Sequence, residues 1–313
     1  MYQPYIRGKQ FELIGIRELT IPVLAPNKIK VSPIIEPVKD SSTLKTTLKE
    51  LVTNDINFTV IANPQVGTFK DFDAIFNAIR SSVGENINYQ VGIIFHSRSN
   101  HNKAIDVLRK YADIVPALTI IHNAAFDNIV DILTLYQEYF TIKYNVINMS
   151  ATSKRYHRNF DKDTLVELDD YFNAQTKNSD YLQVDESNFS EEHLYYKEEG
   201  FVGFADYLSI GEEYSETGFL PYAVAIHLSY AEATTKKIRV KHFVSNSNDD
   251  QSDVAGKFAE ALEKLIAWCD ETGYNSIAIP IFREYHQNGH FPGLGTLKKL
   301  SLMNHIDLVL KWI

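Results

Sequence analysis

The sequence predicts an α/β protein, a (β/α)8-barrel-like single domain over residues 1–313, with an acidic insertion at 171–199 and a late β-hairpin. Its candidate strands are continuous apolar runs, which is typical of parallel strands covered on both faces. No Gly-x-Gly-x-x-Gly turn follows the first run, so an open dinucleotide-binding sheet lacks its fingerprint. The β/α alternation also resumes after the insertion, which favours a closed barrel over an open sheet.

The first half of the chain alternates strand and helix patterns. Candidate strands lie at 28–38, 56–62, 89–95, 117–121 and 141–149. The segments between them carry apolar residues at i, i+3, i+4 and i+7, as in Phe72, Ile75, Phe76 and Ile79. This half therefore reads as successive β/α units of similar length.

The second half departs from that simple repeat. Residues 164–168 predict another strand, and 222–230 and 238–244 predict a hairpin joined at 231–236. Residues 255–268 predict a helix, and the apolar run at 276–282 predicts a late strand.

Charge and cysteine content limit the classes of function. The formal net charge is −9, and residues 161–199, with twelve acidic and three basic residues, account for all of it. Since no basic stripe is present, we expect no direct binding of nucleic acid. No signal core or membrane-length apolar run is visible, which predicts a cytoplasmic protein without a membrane partner. The lone Cys269 predicts a buried packing thiol rather than a disulfide.

The acidic insertion has two interpretations. Its Asn, Ser, Asp and Glu content is typical of a solvated, mobile segment. Its aromatic residues, which anchor interfaces elsewhere, would suit a lid or a docking surface for a basic partner. These residues are Tyr181, Phe189, Tyr195 and Tyr196.

Polar residues end the first four candidate strands: Glu36, Asn63, His96 and His122. In a barrel, the carboxyl ends of the strands meet on one rim, where active sites lie. The four side chains could provide a general acid and base, or ligands for a divalent metal. They could equally cap loops. No His-x-His or His-Glu-x-x-His motif is present, so we predict no metal site, and no cofactor is indicated.

Residues 204–218 add further candidates. Asp206 lies between aromatic neighbours, which predicts a buried, partnered carboxylate beside Tyr207. Glu213 belongs to a glutamate cluster that could bind a cation or remain a solvated loop. His227 lies within a candidate strand and could point into the barrel, although a hydrogen-bonded core histidine is the alternative.

Several short segments are distinctive: Tyr2-x-Pro4-Tyr5-Ile6-Arg7-Gly8-Lys9-Gln10, Pro33-Ile34-Ile35-Glu36-Pro37, Asn63-Pro64, Asp206-Tyr207 and Asn304-His305-Ile306. Through them the chain resembles the Beta-protein family of bacterial and phage-associated proteins. The resemblance implies a barrel-like fold and directs attention to Arg7, Lys9, Glu36, Asn63, Asp206 and Tyr207. It also implies a defence or mobile-element setting with nuclease-like or other neighbour-encoded protein partners.

Two classes of function follow. The first is a binding or regulatory component of a bacterial defence or mobile-element module that acts through protein partners. The second is a barrel hydrolase for a small or phosphorylated substrate, with Glu36, His96, His122 and Asp206 as catalytic residues. Arg7, Lys9, Asn63, Tyr207, Glu213 and His227 are the binding candidates. We expect Arg7 or Lys9 to pair with Glu36 or Asp206. Because no catalytic signature is recognisable, the sequence favours the first class.

Overall fold

A computed structural model describes residues 1–215 and 220–313. These described residues divide into two compact units. The barrel unit comprises 1–170, 192–206 and 313, and the hairpin unit comprises 171–191 and 207–312. The expectation that the whole chain is one domain stays a prediction.

Within the described residues, the barrel unit contains an eight-stranded parallel sheet. In order around the sheet its strands are β1 (Tyr5–Ile6), β2 (Ile34–Ile35), β3 (Thr59–Ile61), β4 (Gln90–Phe95), β5 (Leu118–His122), β6 (Ile142–Asn148), β7 (Leu165–Asp169) and β9 (Gly203–Asp206). The predicted α/β barrel is therefore confirmed.

Residues beside β1 bring the two ends of this sheet together. Tyr2 forms parallel bridges with both Val31 and Phe204. The backbone N–H of Gln3 donates to the carbonyl of Phe204 over 2.8 Å, and the N–H of Phe204 donates to the carbonyl of Met1 over 3.0 Å. The barrel is thus nearly closed, and the sheet edges are joined over a short length.

Five helices follow the first five strands in the described chain: α1 (Gln10–Leu19), α2 (Ser42–Thr53), α3 (Phe72–Val83), α4 (His101–Lys110) and α5 (Ile129–Gln137). Side chains cap three of them, because Ser41, Asp71 and Asn100 each accept a hydrogen bond from a backbone N–H three residues later. The predicted β/α alternation of this half is confirmed.

The sequence prediction missed β1 and β9. β1 has only two residues, too few for a periodic signal, and the polar Asp206 ends the four-residue β9. Short 3-10 helices such as Tyr156–Asn159 replace a regular helix after β6. Arg7 and Lys9 therefore follow the first barrel strand rather than precede it.

The hairpin unit contains an antiparallel sheet in the order β10-β11-β8. Its strands are β8 (Glu186–Ser190), β10 (Ala225–Ala231) and β11 (Ile238–Val244). β10 and β11 pair from Ala225 with Val244 to Ala231 with Ile238, which confirms the predicted hairpin.

The hairpin unit also contains α7 (Val254–Thr272), α8 (Ile279–Asn288) and α9 (Leu294–Trp312). The strand predicted at 276–282 is wrong, because α8 begins within that run. Pro280 lies in the first turn of α8, where a helix does not need its N–H. The predicted helix at 255–268 lies within α7, and its Cys269 is buried, with a pKa raised to about 11 by burial.

The acidic segment 171–199 is folded, in contrast to a solvated and mobile insertion. Its first part supplies the 3-10 helix Asn178–Leu182 and β8, and its second part contains α6 (Glu192–Tyr195). Tyr181, Phe189 and Tyr196 are buried. Their rings supply the apolar contacts that hold this otherwise polar segment in a folded state.

Across the described ranges 1–215 and 220–313, no helix has both the length and the apolar character needed to cross a membrane.

Candidate functional site

The carboxyl ends of neighbouring barrel strands hold the four predicted strand-end residues. Glu36 directly follows β2, Asn63 lies two residues after β3, His96 directly follows β4, and His122 is the last residue of β5. Since β2 to β5 are adjacent and parallel, all four residues lie at the same rim of the barrel, as predicted.

Two groups of contacts distinguish the inner face of the barrel wall from its outer face. The ring of Phe95 lies 4.5 Å from that of His101 on α4 and 5.3 Å from that of Tyr136 on α5, so Phe95 points outward to the helices. On the face opposite to Phe95, Thr59 and Thr119 meet over Gly92 of β4, with 3.1 Å between their Oγ1 atoms. Residues in register with Thr59 and Thr119 therefore point inward.

His122 lies on the outer face. It alternates with Thr119 and Ile121, and its ring packs between those of Phe95 and Phe160. Its Nε2 lies 3.1 Å from Asn145 Oδ1 and its Nδ1 lies 3.2 Å from the Tyr156 hydroxyl. Burial lowers the pKa of His122 to about 3, so the ring is neutral at pH 7. These contacts are those of a satisfied core histidine.

Asp206 also lies on the outer face. It alternates with Gly203 and Ala205 and shares its side of β9 with Phe204, whose ring stacks on Tyr2 at 5.2 Å. The Tyr2 hydroxyl donates to Asp206 Oδ1 over 2.8 Å. The expectation of a buried, partnered carboxylate is confirmed. However, Asp206 and His122 do not join Glu36 on the inner face, so the predicted catalytic set does not converge.

Glu36 is a fully buried carboxylate with several donors. Its Oε2 accepts from the Tyr5 hydroxyl over 2.7 Å and pairs with Arg7 Nη1. Its Oε1 accepts from the backbone N–H groups of Gln65 and Val66 over 2.6 and 3.3 Å. The expected pairing of Arg7 with Glu36 is confirmed. Because these donors occupy both oxygens of the carboxylate, Glu36 is suited to holding Arg7 in place.

The loop after β3 is built around this ion pair. Gly67 has φ of +71°, and a Cβ there would clash with the carbonyl oxygen of Val38. Gly8 has φ of +61°, and a Cβ there would lie 2.7 Å from the carbonyl oxygen of Glu36. Lys70 Nζ donates to the carbonyls of Pro64 and Val66 over 2.7 and 3.0 Å. Gly8 is therefore required where the chain closely approaches Glu36, and Gly67 where it closely approaches Val38.

Asn63 and His96 form the next part of the rim. Asn63 Nδ2 donates to the carbonyl of Ile94 and its Oδ1 accepts from the N–H of Ile94, both over 2.8 Å. The amide thus extends the ladder between β3 and β4. His96 Nδ1 accepts from the N–H of Arg98 over 3.2 Å, which assigns the proton to Nε2 in the neutral ring. His96 is half-buried at the rim.

The prediction overlooked two asparagines on the same rim. Asn123 follows β5 on the inward-facing register, and Asn148 ends β6 in the register of the inward Val146. Asn148 Nδ2 donates to Asn123 Oδ1 over 3.3 Å. Asn123 follows the more conspicuous His122, and a run that is apolar on both faces does not reveal which of the two points inward.

The inner rim is defined here as Arg7, Glu36, Asn63, His96, Asn123 and Asn148. It combines one buried ion pair with an imidazole and three amides. Lys9, the residue before α1, is half-buried, and its carbonyl accepts from the N–H of Leu13.

The remaining candidates belong to the hairpin unit. Tyr207 is buried, and its hydroxyl lies 3.5 Å from Glu212 Oε1, whereas Glu213 is exposed. The predicted glutamate cluster continues to Glu216, which lies outside the described residues. His227 does not belong to a barrel strand, because β10 is part of the antiparallel sheet.

His227 instead pairs with a second histidine. Its Nδ1 lies 2.8 Å from His242 Nδ1, and His242 Nε2 lies 3.1 Å from Ser187 Oγ. Burial and the neighbouring His242 lower the pKa of His227 to about 3, and burial lowers that of His242 to about 4. Both rings are neutral at pH 7.

A cavity of about 380 Å³ adjoins this histidine pair and is lined in part by Tyr181, His242 and Trp268. Its lysines are already engaged. Lys241 Nζ contacts Asp185 Oδ2 at 2.5 Å, and Lys264 Nζ donates to the carbonyl of Val244 at 2.5 Å. This cavity therefore offers less free charge for a ligand than its composition indicates.

Potential metal ligands gather on the outside of the barrel rather than on its inner rim. In the described part of the chain, one set of carboxylates is close enough to share an ion: Glu167, Glu192 and Glu199.

Comparison with family models, curated proteins and solved structures finds no match to this chain. The resemblance to the Beta-protein family, with the partners it implies, therefore stays a prediction.

Proposed function

We propose that the barrel unit binds a small phosphorylated molecule at the inner rim and hydrolyses it. The observation that supports this proposal is the ion pair between the fully buried Glu36 and the partly exposed Arg7 at the carboxyl end of a parallel barrel. Barrel enzymes carry their active sites at this end. Removing two charges from water is costly, so a buried pair at that rim is a candidate for function.

The chemistry of Arg7 favours an anionic ligand. A guanidinium is charged at all physiological pH values, and its planar fork matches the oxygens of a phosphate. Glu36 holds Nη1, and the aromatic ring of Tyr5 lies 5.3 Å from the guanidinium carbon, so the plane of the group is fixed. The layer below is neutral, because Thr59 and Thr119 occupy the barrel interior there. Within the inner rim, the cationic group that an anion would meet is therefore the guanidinium of Arg7, which shares Nη1 with Glu36.

The other rim residues suit recognition and proton transfer. Asn123 and Asn148 carry amide groups that can bind the hydroxyls of a small substrate. In the hydrolysis, water attacks the phosphorus and the P–O bond to the leaving group breaks. A protonated His96 can give its Nε2 proton to the leaving oxygen, and the proton that the attacking water loses restores the protonated ring. Arg7 would stabilise the charge that develops on the phosphoryl oxygens. In this scheme Glu36 is a positioning residue for Arg7.

Calorimetric titration with inorganic pyrophosphate tests binding. We expect pyrophosphate to bind wild type, and Arg7→Gln to weaken binding at least tenfold. Arg80→Gln is the matched control, because Arg80 pairs with Asp113 on the exposed outside of α3. Equal affinity in all three proteins, or no binding at millimolar concentrations, would refute the proposal.

Hydrolysis of p-nitrophenyl phosphate tests the reaction. We expect His96→Gln to lower kcat by about 100-fold, the usual size of a general-acid contribution, with KM within a few-fold of wild type. If wild type binds pyrophosphate but does not hydrolyse p-nitrophenyl phosphate, the inner rim is a binding site and the proposed hydrolysis is wrong.

A role through protein partners in a defence or mobile-element module is the second proposal, supported by the resemblance of the sequence. The acidic segment offers it limited support, since Asp185, Glu186 and Glu191 pair with Lys241, Arg239 and Lys237 of the hairpin. If the segment docks a basic partner, binding should weaken steeply with salt and with neutral substitutions of these residues. A neighbour-encoded protein whose affinity ignores both changes would contradict this role.

A further inference from the structure

Three glutamates meet on the outer face of β7. Glu167 alternates with the inward Val166 and Leu168, so it points away from the barrel interior. Glu192 begins α6, and Glu199 lies in the turn that follows it. One carboxylate oxygen from each residue lies within 4.8 Å of the other two. All three belong to the barrel unit.

Glu167 is the buried member of this group. The residue is 8% exposed. In the described chain its Oε2 has neither accessible surface nor a hydrogen-bond donor. An ionised oxygen in that position has lost its water without gaining a partner, which is a large cost. A ligand that supplies positive charge would remove this cost.

Protein cations do not supply that charge. Neither Glu167 nor Glu199 forms an ion pair with any Lys, Arg or His in residues 1–215 and 220–313. Burial, followed by the charges of Glu192 and Glu199, raises the pKa of Glu167 well above its ordinary value. The surroundings of Glu167 thus favour a bound cation or a bound proton.

We propose that Glu167, Glu192 and Glu199 bind a calcium ion on the outside of the barrel. Three carboxylate oxygens are hard ligands, which select Ca²⁺ or Mg²⁺ over softer metals. Ca²⁺ accepts several carboxylates in a flexible shell of oxygens, whereas Mg²⁺ usually binds one or two carboxylates and keeps several waters. Three carboxylates whose oxygens all lie within 4.8 Å of one another therefore suit Ca²⁺ better than Mg²⁺.

Such an ion would connect two parts of the barrel unit that are distant in sequence. Glu167 lies in the wall, whereas Glu192 and Glu199 flank the segment whose Tyr196 hydroxyl accepts from the N-terminal amine over 2.9 Å. The calcium ion would hold this segment against β7. It lies on the outer face of the wall, so it is separate from the proposed catalytic rim.

The test is calorimetric titration of Ca²⁺ into the chelator-treated full-length chain. We expect one ion per chain, and at least tenfold weaker binding in Glu167→Gln. Glu199→Gln should give the same loss, and because Glu199 is exposed this variant keeps the test valid if Glu167→Gln fails to fold. Glu198→Gln, an exposed neighbour outside the trio, is the matched control and should bind like wild type.

Thermal unfolding provides a second measurement. Saturating Ca²⁺ should raise the Tm of wild type and of Glu198→Gln but not that of Glu199→Gln, since an ion that binds only the folded state stabilises it. Three results would overturn the proposal. They are no stoichiometric binding of Ca²⁺ at millimolar concentrations, equal Ca²⁺ affinity in wild type and the Glu199→Gln variant, or a higher affinity for Mg²⁺ than for Ca²⁺.

Discussion

Glu36 and Glu167 are two buried carboxylates in one barrel wall, and they have opposite surroundings. Glu36 faces inward and accepts hydrogen bonds from the Tyr5 hydroxyl and two backbone N–H groups beside its ion pair with Arg7. Glu167 faces outward toward two further carboxylates, and its Oε2 has no donor within the described residues. The two residues are 0% and 8% exposed.

The comparison shows that burial alone does not determine the role of a carboxylate. Four donors occupy the oxygens of Glu36: the Tyr5 hydroxyl, Arg7 Nη1 and the backbone N–H groups of Gln65 and Val66. Glu36 therefore orients Arg7. Burial and the neighbouring like charges raise the pKa of Glu167, so its surroundings favour a bound cation or a bound proton. The protein itself supplies the donors and the counter-charge of Glu36, whereas a bound cation would supply the counter-charge of Glu167.

The largest expected loss of stability is that of removing the charge of Glu36. Glu36→Gln should lower the free energy of unfolding by about 3 kcal/mol, because it leaves the largely buried guanidinium of Arg7 without this carboxylate. Asp113→Asn, which breaks the exposed pair with Arg80, should cost less than about 1 kcal/mol. Urea denaturation at pH 7 measures both. Similar small losses in the two variants would mean that the inner pair is not effectively buried.

A pH series adds a third buried group to the comparison, the neutral His122. Its folded pKa of about 3 lies below the unfolded value of 6.5, so its contribution is complete above pH 6.5 and is lost as the pH falls toward 3. Between pH 7 and pH 5 the loss should be about 2 kcal/mol. Urea denaturation of His122→Gln should show a correspondingly smaller loss over this interval. The exposed His286→Gln should behave like wild type, and an unchanged slope in His122→Gln would contradict the buried neutral ring.

The opposite sign is expected for Glu167. With a chelator present, Glu167→Gln should raise the free energy of unfolding at pH 8 by about 2–4 kcal/mol, because it removes the cost of ionising a buried carboxyl beside two like charges. The folded pKa is raised, so this gain should shrink as the pH falls toward the unfolded value of 4.5. Urea denaturation at pH 8 and pH 5 measures it. A loss of several kcal/mol at both pH values would make Glu167 resemble Glu36.

The smallest effect is expected for an exposed carboxylate with good partners. Glu186 accepts from the Tyr230 hydroxyl over 2.8 Å and pairs with Arg239 Nη2 at 2.8 Å on the surface of the hairpin. Glu186→Gln should cost about 0–1 kcal/mol, and less in 1 M salt, since water and ions screen exposed pairs. Thermal unfolding in low and high salt measures this difference, and a larger, salt-independent loss would indicate a buried contact.

The sequence by itself determined the α/β class, most of the strand and helix order, the late hairpin and the strand-end positions of Glu36, Asn63, His96 and His122. These features depend on local patterns: apolar periodicity, side-chain caps such as Ser41 and Asp71, and the polar residue that ends each buried run. The pairing of Arg7 with Glu36 was also predicted, as one of the possible pairings of Arg7 or Lys9 with Glu36 or Asp206.

Only the tertiary structure decided which face each side chain occupies. A parallel barrel strand is apolar on both sides, so its sequence does not distinguish the inward Asn123 from the outward His122. β1 was missed because its two residues gain their strand conformation from pairing with β2 rather than from local preference. The folding of the acidic segment and the meeting of Glu167 with Glu192 and Glu199 depend on contacts between residues far apart in the chain. No local pattern records such contacts, because the energy that maintains them comes from burial and charge shared across the fold.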